Sequence, residues 1–301
     1  MNELRGLTAL VTGASRGAGC YIAEALAHEG MNLVLTARNP IGLEQLAGRL
    51  RAYGSAVTIV AADLSRREDL ESLVRQATTA NAIDVLVNNA GMICMLPYHR
   101  LTIEDIRREI DLNLVAPMLL TRLLLPAMLA RKRGHIVNIA SLAGEIGLPC
   151  EEGYCATKAG LILFSRCLRA EYRREGVSCS AVLPGLIWGT GMVHNIEVKS
   201  NLKMSRVTGG CTPERVARAV IRAIRTDAPE IIVNRTPLRP LLALFRLFPR
   251  LADPLLRSLG VCGSGEAAAA MNLESGGAFT GVGVSVESGL THPTGKPREP
   301  M

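Results

Sequence analysis

The chain has 301 residues, of which 48% are hydrophobic and 20% charged, a balance typical of one large or two small globular domains and not of a disordered chain. Only 3% of the residues are aromatic, which argues against a stacking-type binder of single-stranded nucleic acid. The net charge of +7 is compatible with an anionic partner, an anionic cofactor or an acidic membrane surface.

Short apolar runs, each typical of a buried parallel strand, alternate with segments of helical periodicity. The predicted strands are residues 7–12, 32–37, 56–61, 83–87, 135–140, 177–183 and 230–233. The predicted helices are residues 19–29, 40–50, 66–79, 103–131, 153–175 and 213–226. Pro117 and Pro126 are expected to kink or divide the fourth helix. This alternation predicts an α/β fold, a doubly wound parallel sheet of Rossmann-like type, as a single domain over residues 1–236. Residues 186–211 show no firm period and predict a flexible lid.

The chain after the predicted sheet has a different composition. Residues 237–261 carry leucine, phenylalanine and arginine among prolines and predict a basic, apolar helical extension. Such a segment can lie on an anionic bilayer, pack on a subunit or cover a substrate pocket. We favour packing over membrane contact through 237–259, because Pro249 and Pro254 interrupt any long membrane-lying helix. Residues 262–301 are rich in Gly, Ala, Ser and Pro and predict a loosely ordered tail.

The eight cysteines and the N-terminal residues bear on the compartment and on metal binding. No C-x-x-C pair and no Cys/His group with zinc spacing occurs. We see no secretory signal and no run of about 18 apolar residues. We therefore expect reduced thiols, a cytoplasmic protein and no metal site.

The first predicted strand runs into a glycine-rich turn and then into a helix. The turn reads Thr12-Gly13-Ala14-Ser15-Arg16-Gly17-Ala18-Gly19. Glycine allows close approach of a ligand to the backbone, and the N–H groups and dipole of the following helix suit a pyrophosphate. A glycine-rich turn without a ligand is the alternative, but the strand-then-helix context favours a nucleotide site.

Further motifs follow other predicted strands. Asn88-Asn89-Ala90-Gly91 follows the fourth strand, Ser141 closes the fifth, and Tyr154 and Lys158 lie on the next helix. A spacing of four residues puts Tyr154 and Lys158 on one helix face, about 6 Å apart along its axis. Each motif alone has an ordinary explanation as a turn or a solvated face. Together they predict one site, because ligands of open parallel sheets bind outside the carboxyl ends of the strands.

With these motifs, residues 5–235 resemble a short-chain dehydrogenase/reductase of the Tyr-x-x-x-Lys type. The resemblance implies an oxidoreductase that transfers a hydride between a nicotinamide cofactor and a ketone or secondary alcohol. It implies a catalytic tetrad of Asn113, Ser141, Tyr154 and Lys158, with Tyr154 as the general acid or base and Asn113 maintaining a water path. It also implies a homodimer or homotetramer formed through helices 103–131 and 153–175.

The resemblance also implies which residues contact the cofactor. These are Gly13, Ser15, Arg16, Gly17, Gly19, Arg38, Asp63, Asn88, Ala90, Gly91, Tyr154, Lys158, Pro184, Gly185 and Ile187. At the end of the second strand, a carboxylate binds the 2′-OH of NAD and an arginine accommodates the 2′-phosphate of NADP. The chain has Arg38 there and no acid, so we expect NADP(H) to be preferred, with NAD(H) as the alternative. Arg16 is a second candidate phosphate ligand.

The chemistry expected of Tyr154 depends on its pKa, which is about 10 for a free tyrosine. We expect the Lys158 ammonium and the positive charge of the cofactor to favour the phenolate. The segments expected beside the nicotinamide, 92–97, 142–153 and 186–204, are largely apolar. We therefore predict a lipid-, steroid- or acyl-like ketone or alcohol as substrate.

The chain departs from the family pattern at one position, and two other functions are alternatives. Thr190 follows Pro184-Gly185 one position later than in the family pattern, which puts its contact with the cofactor in doubt. A non-catalytic cofactor sensor or scaffold on the same fold is the alternative function, and the intact Ser–Tyr–Lys set argues against it. We expect no nucleic-acid partner, because the sequence shows no basic stripe with a recognition element.

Overall fold

The computed structural model describes residues 1, 3–192, 194 and 209–274. Its strands are β1 Thr8–Thr12, β2 Asn32–Ala37, β3 Val57–Ala61, β4 Val85–Asn88, β5 Gly134–Ile139, β6 Val177–Pro184 and β7 Glu230–Val233. The helices of the sheet domain are α1 Ala18–His28, α2 Pro40–Arg51, α3 Arg67–Ala77, α4 Ile103–Ile110, α5 Ala116–Ala130, α6 Glu152–Tyr172 and α7 Pro213–Thr226. The helices of the extension are α8 Arg239–Leu247, α9 Pro249–Ser258 and α10 Val261–Glu274.

The strands form one parallel sheet in the order β3-β2-β1-β4-β5-β6-β7. In β1, Val11 pairs with Leu35 of β2 on one side and with Val87 of β4 on the other. The strand order therefore reverses between β1 and β4, and the two loops that follow these strands diverge to leave a crevice at their carboxyl ends. The predicted doubly wound parallel sheet is confirmed.

Successive residues of a strand divide between the two faces of the sheet, and the apolar core follows this period of two. Val11 packs in the layer formed with α1, α2 and α7, whereas Leu10 packs in the layer formed with α3 and α5. Both side chains are fully buried. Burial on both faces explains why the strands appear in the sequence as continuous apolar runs and not as an alternation.

The predicted long helix 103–131 has a local irregularity upstream of both prolines. The chain passes from α4 through a π-helical turn, Asp111–Val115, into α5. Pro117 lies in the first turn of α5, and Pro126 is accommodated inside it. Because Pro117 has no N–H, it cannot donate the usual helical hydrogen bond to the Asn113 carbonyl, and the wider turn absorbs this loss.

The described part of the chain contains one continuous helical segment, Ile103–Ala130, that is long and apolar enough to cross a membrane by length and composition alone. From the sequence we expect no such run. Leu120, Leu124 and Met128 of this segment are buried against the sheet. Packing in the core therefore accounts for its apolar character.

The first part of the predicted tail is helical, and α10 joins it to the extension. Residues 262–274 fall in the predicted loosely ordered tail, yet they belong to α10. Its run of alanines, residues 267–270, favours a helix, and Ala268 and Ala269 are buried. The rest of that tail, residues 275–301, and most of the predicted lid, residues 193 and 195–208, lie outside the described residues.

A buried histidine connects the neighbouring strands β5 and β6. His135 of β5 is 2% exposed, and its Nε2 lies 2.9 Å from the Ser180 Oγ of β6. Ser180 donates its own hydroxyl hydrogen to the Ala228 carbonyl, so it accepts from His135, which holds the ring neutral with hydrogen on Nε2. Burial lowers the pKa of His135 to about 4.

This histidine should make the protein less stable at acidic pH. An unfolded histidine has a pKa near 6.5, so between about pH 6.5 and 4 the unfolded chain binds the extra proton and the folded chain does not. We expect this group to remove about 3 kcal/mol from the free energy of unfolding across that window. His135→Gln, which keeps the Nε2 donor without titrating, should flatten the fall in Tm from pH 7 to 4 relative to the exposed control His99→Gln. Parallel Tm curves for the two variants would contradict the assignment.

Candidate active site

The glycine-rich turn after β1 leaves a backbone cradle at the crevice. Gly17, at the start of α1, has φ 61°, a left-handed conformation that favours glycine. A Cβ at Gly13 would lie 2.8 Å from the Cα of Ala90, and one at Gly19 would lie 2.3 Å from the Gly13 carbonyl oxygen. The turn lies so close to the helix and to the loop after β4 that no side chain is tolerated at Gly13 or Gly19.

The Asn-Asn-Ala-Gly motif holds this turn in place. The backbone N–H groups of Asn89 and Ala90 donate to Thr12 Oγ1 at 2.9 and 3.0 Å, and Asn89 Nδ2 donates to the Thr12 carbonyl at 2.9 Å. Asn88, which we predicted beside the nucleotide, is turned into the sheet and donates to Asn138 Oδ1 at 2.8 Å. Asn89 lines the crevice in its place. The alternation of side chains along β4 explains the difference.

Ser141, Tyr154 and Lys158 come together at the end of β5. Lys158 is 3% exposed, and its Nζ donates to the Ile139 carbonyl at 2.8 Å and lies 5.6 Å from the centre of the Tyr154 ring. Ser141 Oγ accepts from the Ala143 N–H at 3.1 Å, and Ser141 and Tyr154 line the same cavity. The structure therefore places a hydroxyl, a phenol and an ammonium around one point of the crevice.

The protein's own groups tune the tyrosine and the lysine in opposite directions. Burial raises the pKa of Tyr154, with the negative charge of Glu151 adding to the effect, and the hydrogen bond from Ser141 opposes it. Burial lowers the pKa of Lys158 to about 8, opposed by Glu109. We expected the neighbouring positive charge to favour the phenolate, but within the protein burial is the larger effect. At neutral pH the phenol is protonated and Lys158 is mostly charged.

Asn113 lies in the π-helical turn, next to this group. Its Oδ1 accepts from the Met92 N–H at 2.8 Å, and its Nδ2 donates to the Met92 carbonyl at 2.8 Å and to Thr157 Oγ1 at 3.2 Å. The side chain is fully buried, and it fixes the loop after β4 to α6. The side-chain amide of Asn113 is engaged in these hydrogen bonds, and the water path that the resemblance implies for this residue stays a prediction.

The opposite end of the crevice is basic. Arg16, Arg38 and Asp63 line it. Partial burial and the nearby Arg38 charge lower the pKa of Arg16. Burial acts to raise the pKa of Asp63, but hydrogen bonds from Ser65 and the charge of Arg38 outweigh it and the pKa is lowered. The two guanidinium groups repel each other, and a phosphate dianion bound between them would neutralise their charges. Together with the glycine cradle, these residues fit a phosphorylated dinucleotide.

One cavity joins the basic end to Tyr154 and continues beneath the extension. Its far wall is apolar and consists of Leu142, Ile146, Leu148, Leu238, Leu241, Leu242, Phe245, Leu256, Leu259 and Val261. Pro184, Gly185, Ile187 and Thr190 line the side next to β6. Ser15 packs instead against Gly42 of α2, and Gly19 and Asn113 lie behind the lining.

The extension is attached to the sheet domain by specific contacts. Arg246 of α8 forms an ion pair with Glu145, in the loop after β5. Asn272 Nδ2 of α10 donates to the Met95 carbonyl at 2.8 Å, and Ala268 packs with Ile93. From the sequence, covering of the pocket is one of three alternatives for this segment, and the contacting residues are not indicated. The spacing of Leu241, Leu242 and Phe245, which gives α8 one apolar side, is the signal that could have indicated it.

Comparisons with known proteins agree with this fold. Residues 7–201 match the family model for short chain dehydrogenases. The ketoacyl reductase HetN of Nostoc sp. is 39% identical over 267 residues, which is 87% of this chain and 92% of that protein. A metagenomic short-chain oxidoreductase in complex with NADP is 33% identical, with TM-score 0.66, and covers 78% of this chain and 100% of its own. A Burkholderia phymatum short-chain dehydrogenase/reductase in complex with NAD is 26% identical, with TM-score 0.74, and the match covers 83% of this chain and 96% of that one.

The fold and the site define a nicotinamide-dependent oxidoreductase that acts on an alcohol or carbonyl group. The chain belongs to the short-chain dehydrogenase/reductase family.

Proposed function

We propose that the protein is an NADP(H)-dependent reductase of a ketone carried on an extended apolar skeleton. The observation that carries this proposal is the single cavity that runs from Arg16 and Arg38, past Ser141 and Tyr154, to the apolar wall beneath the extension. Such a cavity suits a phosphorylated nucleotide at one end and a long apolar substrate at the other.

The reacting group of the substrate would lie beside Tyr154. When bound, a nicotinamide cofactor supplies the hydride for the carbonyl carbon. Ser141 holds the carbonyl oxygen, and the protonated phenol of Tyr154 donates a proton to that oxygen as general acid. The charged Lys158 then stabilises the phenolate that remains. Asn113 holds the loop and α6 together and offers its backbone carbonyl to water that restores the proton.

The raised pKa of Tyr154 supports the direction of the reaction. A tyrosine that stays protonated at neutral pH is suited to donate a proton, which ketone reduction requires. Alcohol oxidation would require the phenolate. The protonated phenol fits the reductive direction, and the ratio of reduced to oxidised cofactor decides which direction dominates.

The substrate class is supported by the wall beneath the extension and by a relative. HetN is named as a ketoacyl reductase, and an acyl chain fits a wall made of leucine, isoleucine, valine and phenylalanine side chains. We propose a long-chain acyl ketone within the wider lipid-like class. The rival function, a cofactor sensor without turnover, would not need Ser141, Tyr154 and Lys158 to line one cavity.

A ketone panel with NADPH and with NADH tests this function. We expect NADPH oxidation with 3-oxoacyl thioesters and a KM that falls as the chain lengthens, because each added methylene buries more apolar surface. Phe245→Leu should alter the dependence of KM on chain length, because Phe245 is 6% exposed and lines the cavity. The matched control Phe248→Leu should not, since Phe248 is 54% exposed. If no ketone supports oxidation of either nucleotide, the proposal is wrong.

The proposal extends to the oligomeric state and the cellular location of the protein. We propose a homodimer or homotetramer through α5 and α6, where Met118, Leu123 and Leu163 are exposed apolar side chains. We propose a cytoplasmic protein. Contact of the extension with an anionic membrane stays a prediction, with Leu247 and Leu251 exposed on its outer side.

A further inference from the structure

Two buried carboxyl groups lie beside the catalytic group and have no part in the mechanism described above. Glu109 of α4 is 1% exposed, and Glu151, which precedes α6, is 8% exposed. Glu109 is one helical turn before Asn113, and Glu151 is three residues before Tyr154. Each carboxyl group therefore lies on the same side of its segment as a residue of the tetrad. Glu151 also lines the cavity.

Glu109 is the member of the pair that is built to carry a charge. Its Oε1 accepts from the Cys94 N–H at 3.0 Å. Its Oε2 lies against the first turn of α6, where a Cβ at Gly153 would come within 2.2 Å of it. A helix N-terminus favours a negative charge, and the Lys158 ammonium does so as well. Burial nevertheless raises the pKa of Glu109 to about 7.

Glu151 is the member that is built to stay neutral. Burial, followed by the charges of Glu109 and Glu152, raises its pKa to about 7. Two neighbouring buried carboxyl groups do not both ionise readily, and the negative charge of Glu109 favours the protonated form of Glu151. The helix α10 covers Glu151, since a Cβ at Gly265 would lie 3.5 Å from its Oε1. Glu151 lines the same cavity as Tyr154 and the apolar wall, and its protonated carboxyl group can donate a hydrogen bond.

We propose that Glu151 is a specificity-determining residue that donates a hydrogen bond to a second oxygen of the substrate, one that is not reduced. The inference rests on the proposed function and narrows it to ketones with another carbonyl or hydroxyl oxygen nearby, such as the thioester carbonyl of a 3-oxoacyl chain. A lone carboxyl group in an apolar pocket rejects a substrate that leaves it without a partner. Glu109 is a positioning residue that keeps the proton on Glu151.

A pair of matched substrates tests the inference. One is a long-chain 3-oxoacyl thioester, and the other is a ketone of equal length that lacks the second oxygen. We expect the wild type to prefer the thioester in kcat/KM, and Glu151→Met to reduce that preference about tenfold, the worth of one hydrogen bond. Glu151→Gln, whose amide still donates, should keep most of the preference. Glu152→Gln, at the exposed neighbouring carboxyl, is the matched control.

The pH dependence of the preference gives an independent measurement. The preference should decline as pH rises through about 7, where the donor form of Glu151 ionises, and Glu151→Gln should abolish that decline. Charged or titratable groups facing Glu151 are Glu109 on α4, Glu152, Tyr154 and Cys155 on α6, Cys150 in the preceding loop and Glu266 on α10. Only a pH effect that Glu151→Gln removes belongs to Glu151 itself.

The possible outcomes separate this inference from the proposed function. An unchanged substrate preference in Glu151→Met overturns the inference, as does an equal loss of kcat for both substrates, which would assign Glu151 to proton transfer. Turnover of ketones without any preference for the second oxygen overturns the inference and leaves the proposed function standing. If the wild type reduces no ketone with either nucleotide, the proposed function fails and the inference fails with it.

Discussion

Tyr154→Phe should lower kcat/KM for ketone reduction by about 10³-fold while nucleotide affinity changes little. The variant removes only the phenolic oxygen, so the proton that the carbonyl oxygen needs must come from water. General acid catalysis by a positioned side chain contributes about 10²- to 10⁴-fold to a rate. The ring, which packs with Ile93 and Met95, is retained, and the fold should be unaffected. Steady-state rates with NADPH, together with fluorescence titration of NADPH, measure the two quantities separately.

The matched control is Tyr98→Phe, a change at a tyrosine that is 54% exposed and outside the cavity lining. It should have wild-type kinetics. Activity of Tyr154→Phe equal to that of the control would refute a catalytic phenol and favour the rival function of a cofactor sensor. Loss of NADPH binding in Tyr154→Phe would show instead that the ring mainly supports the nucleotide.

The sheet and the motifs around it could be predicted from the sequence for a clear physical reason. Strands buried on both faces must be apolar throughout, and the turns that follow them carry the polar and glycine residues that a ligand site needs. Gly13 and Ser141 each follow a strand closely in the chain, and Tyr154 lies in the first turn of the helix that comes after β5. Parallel strands bring their carboxyl ends to one edge, so order along the sequence was enough to predict that these residues meet.

Features that depend on contacts distant in sequence could not be predicted in this way. The sequence does not show which of Asn88 and Asn89 faces the crevice, because that depends on the register at which β4 ends. The alanine-rich α10 has no strong apolar stripe. It packs over Met95 and Glu151, which are distant in sequence, so its position depends on tertiary contacts. The buried pair of Glu109 and Glu151 comes from α4 lying against the start of α6, and neither residue forms a local motif.

Arg38→Ala should weaken NADPH binding about tenfold and leave NADH affinity within about twofold of wild type. Arg38 follows β2, where the 2′-substituent of the ribose is recognised, and a charge-assisted hydrogen bond contributes about 1.5–3 kcal/mol. Its solvent exposure and the persistence of Arg16 beside it place the expected effect at the low end of that range. Fluorescence titrations of both nucleotides at two salt concentrations give the four dissociation constants needed.

The double variant Arg16→Ala, Arg38→Ala should lose more NADPH affinity than either single change, because one arginine partly replaces the other at a shared phosphate. Its salt dependence for NADPH should fall to that of NADH, since the additional charges of the phosphate then have no partner. Arg67→Ala, at a side chain 80% exposed on α3, is the matched control for the loss of one positive charge in Arg38→Ala. Equal weakening of NADPH and NADH in Arg38→Ala would mean that the arginine supports the common part of the nucleotide. The preference for NADP(H) would then have to be abandoned.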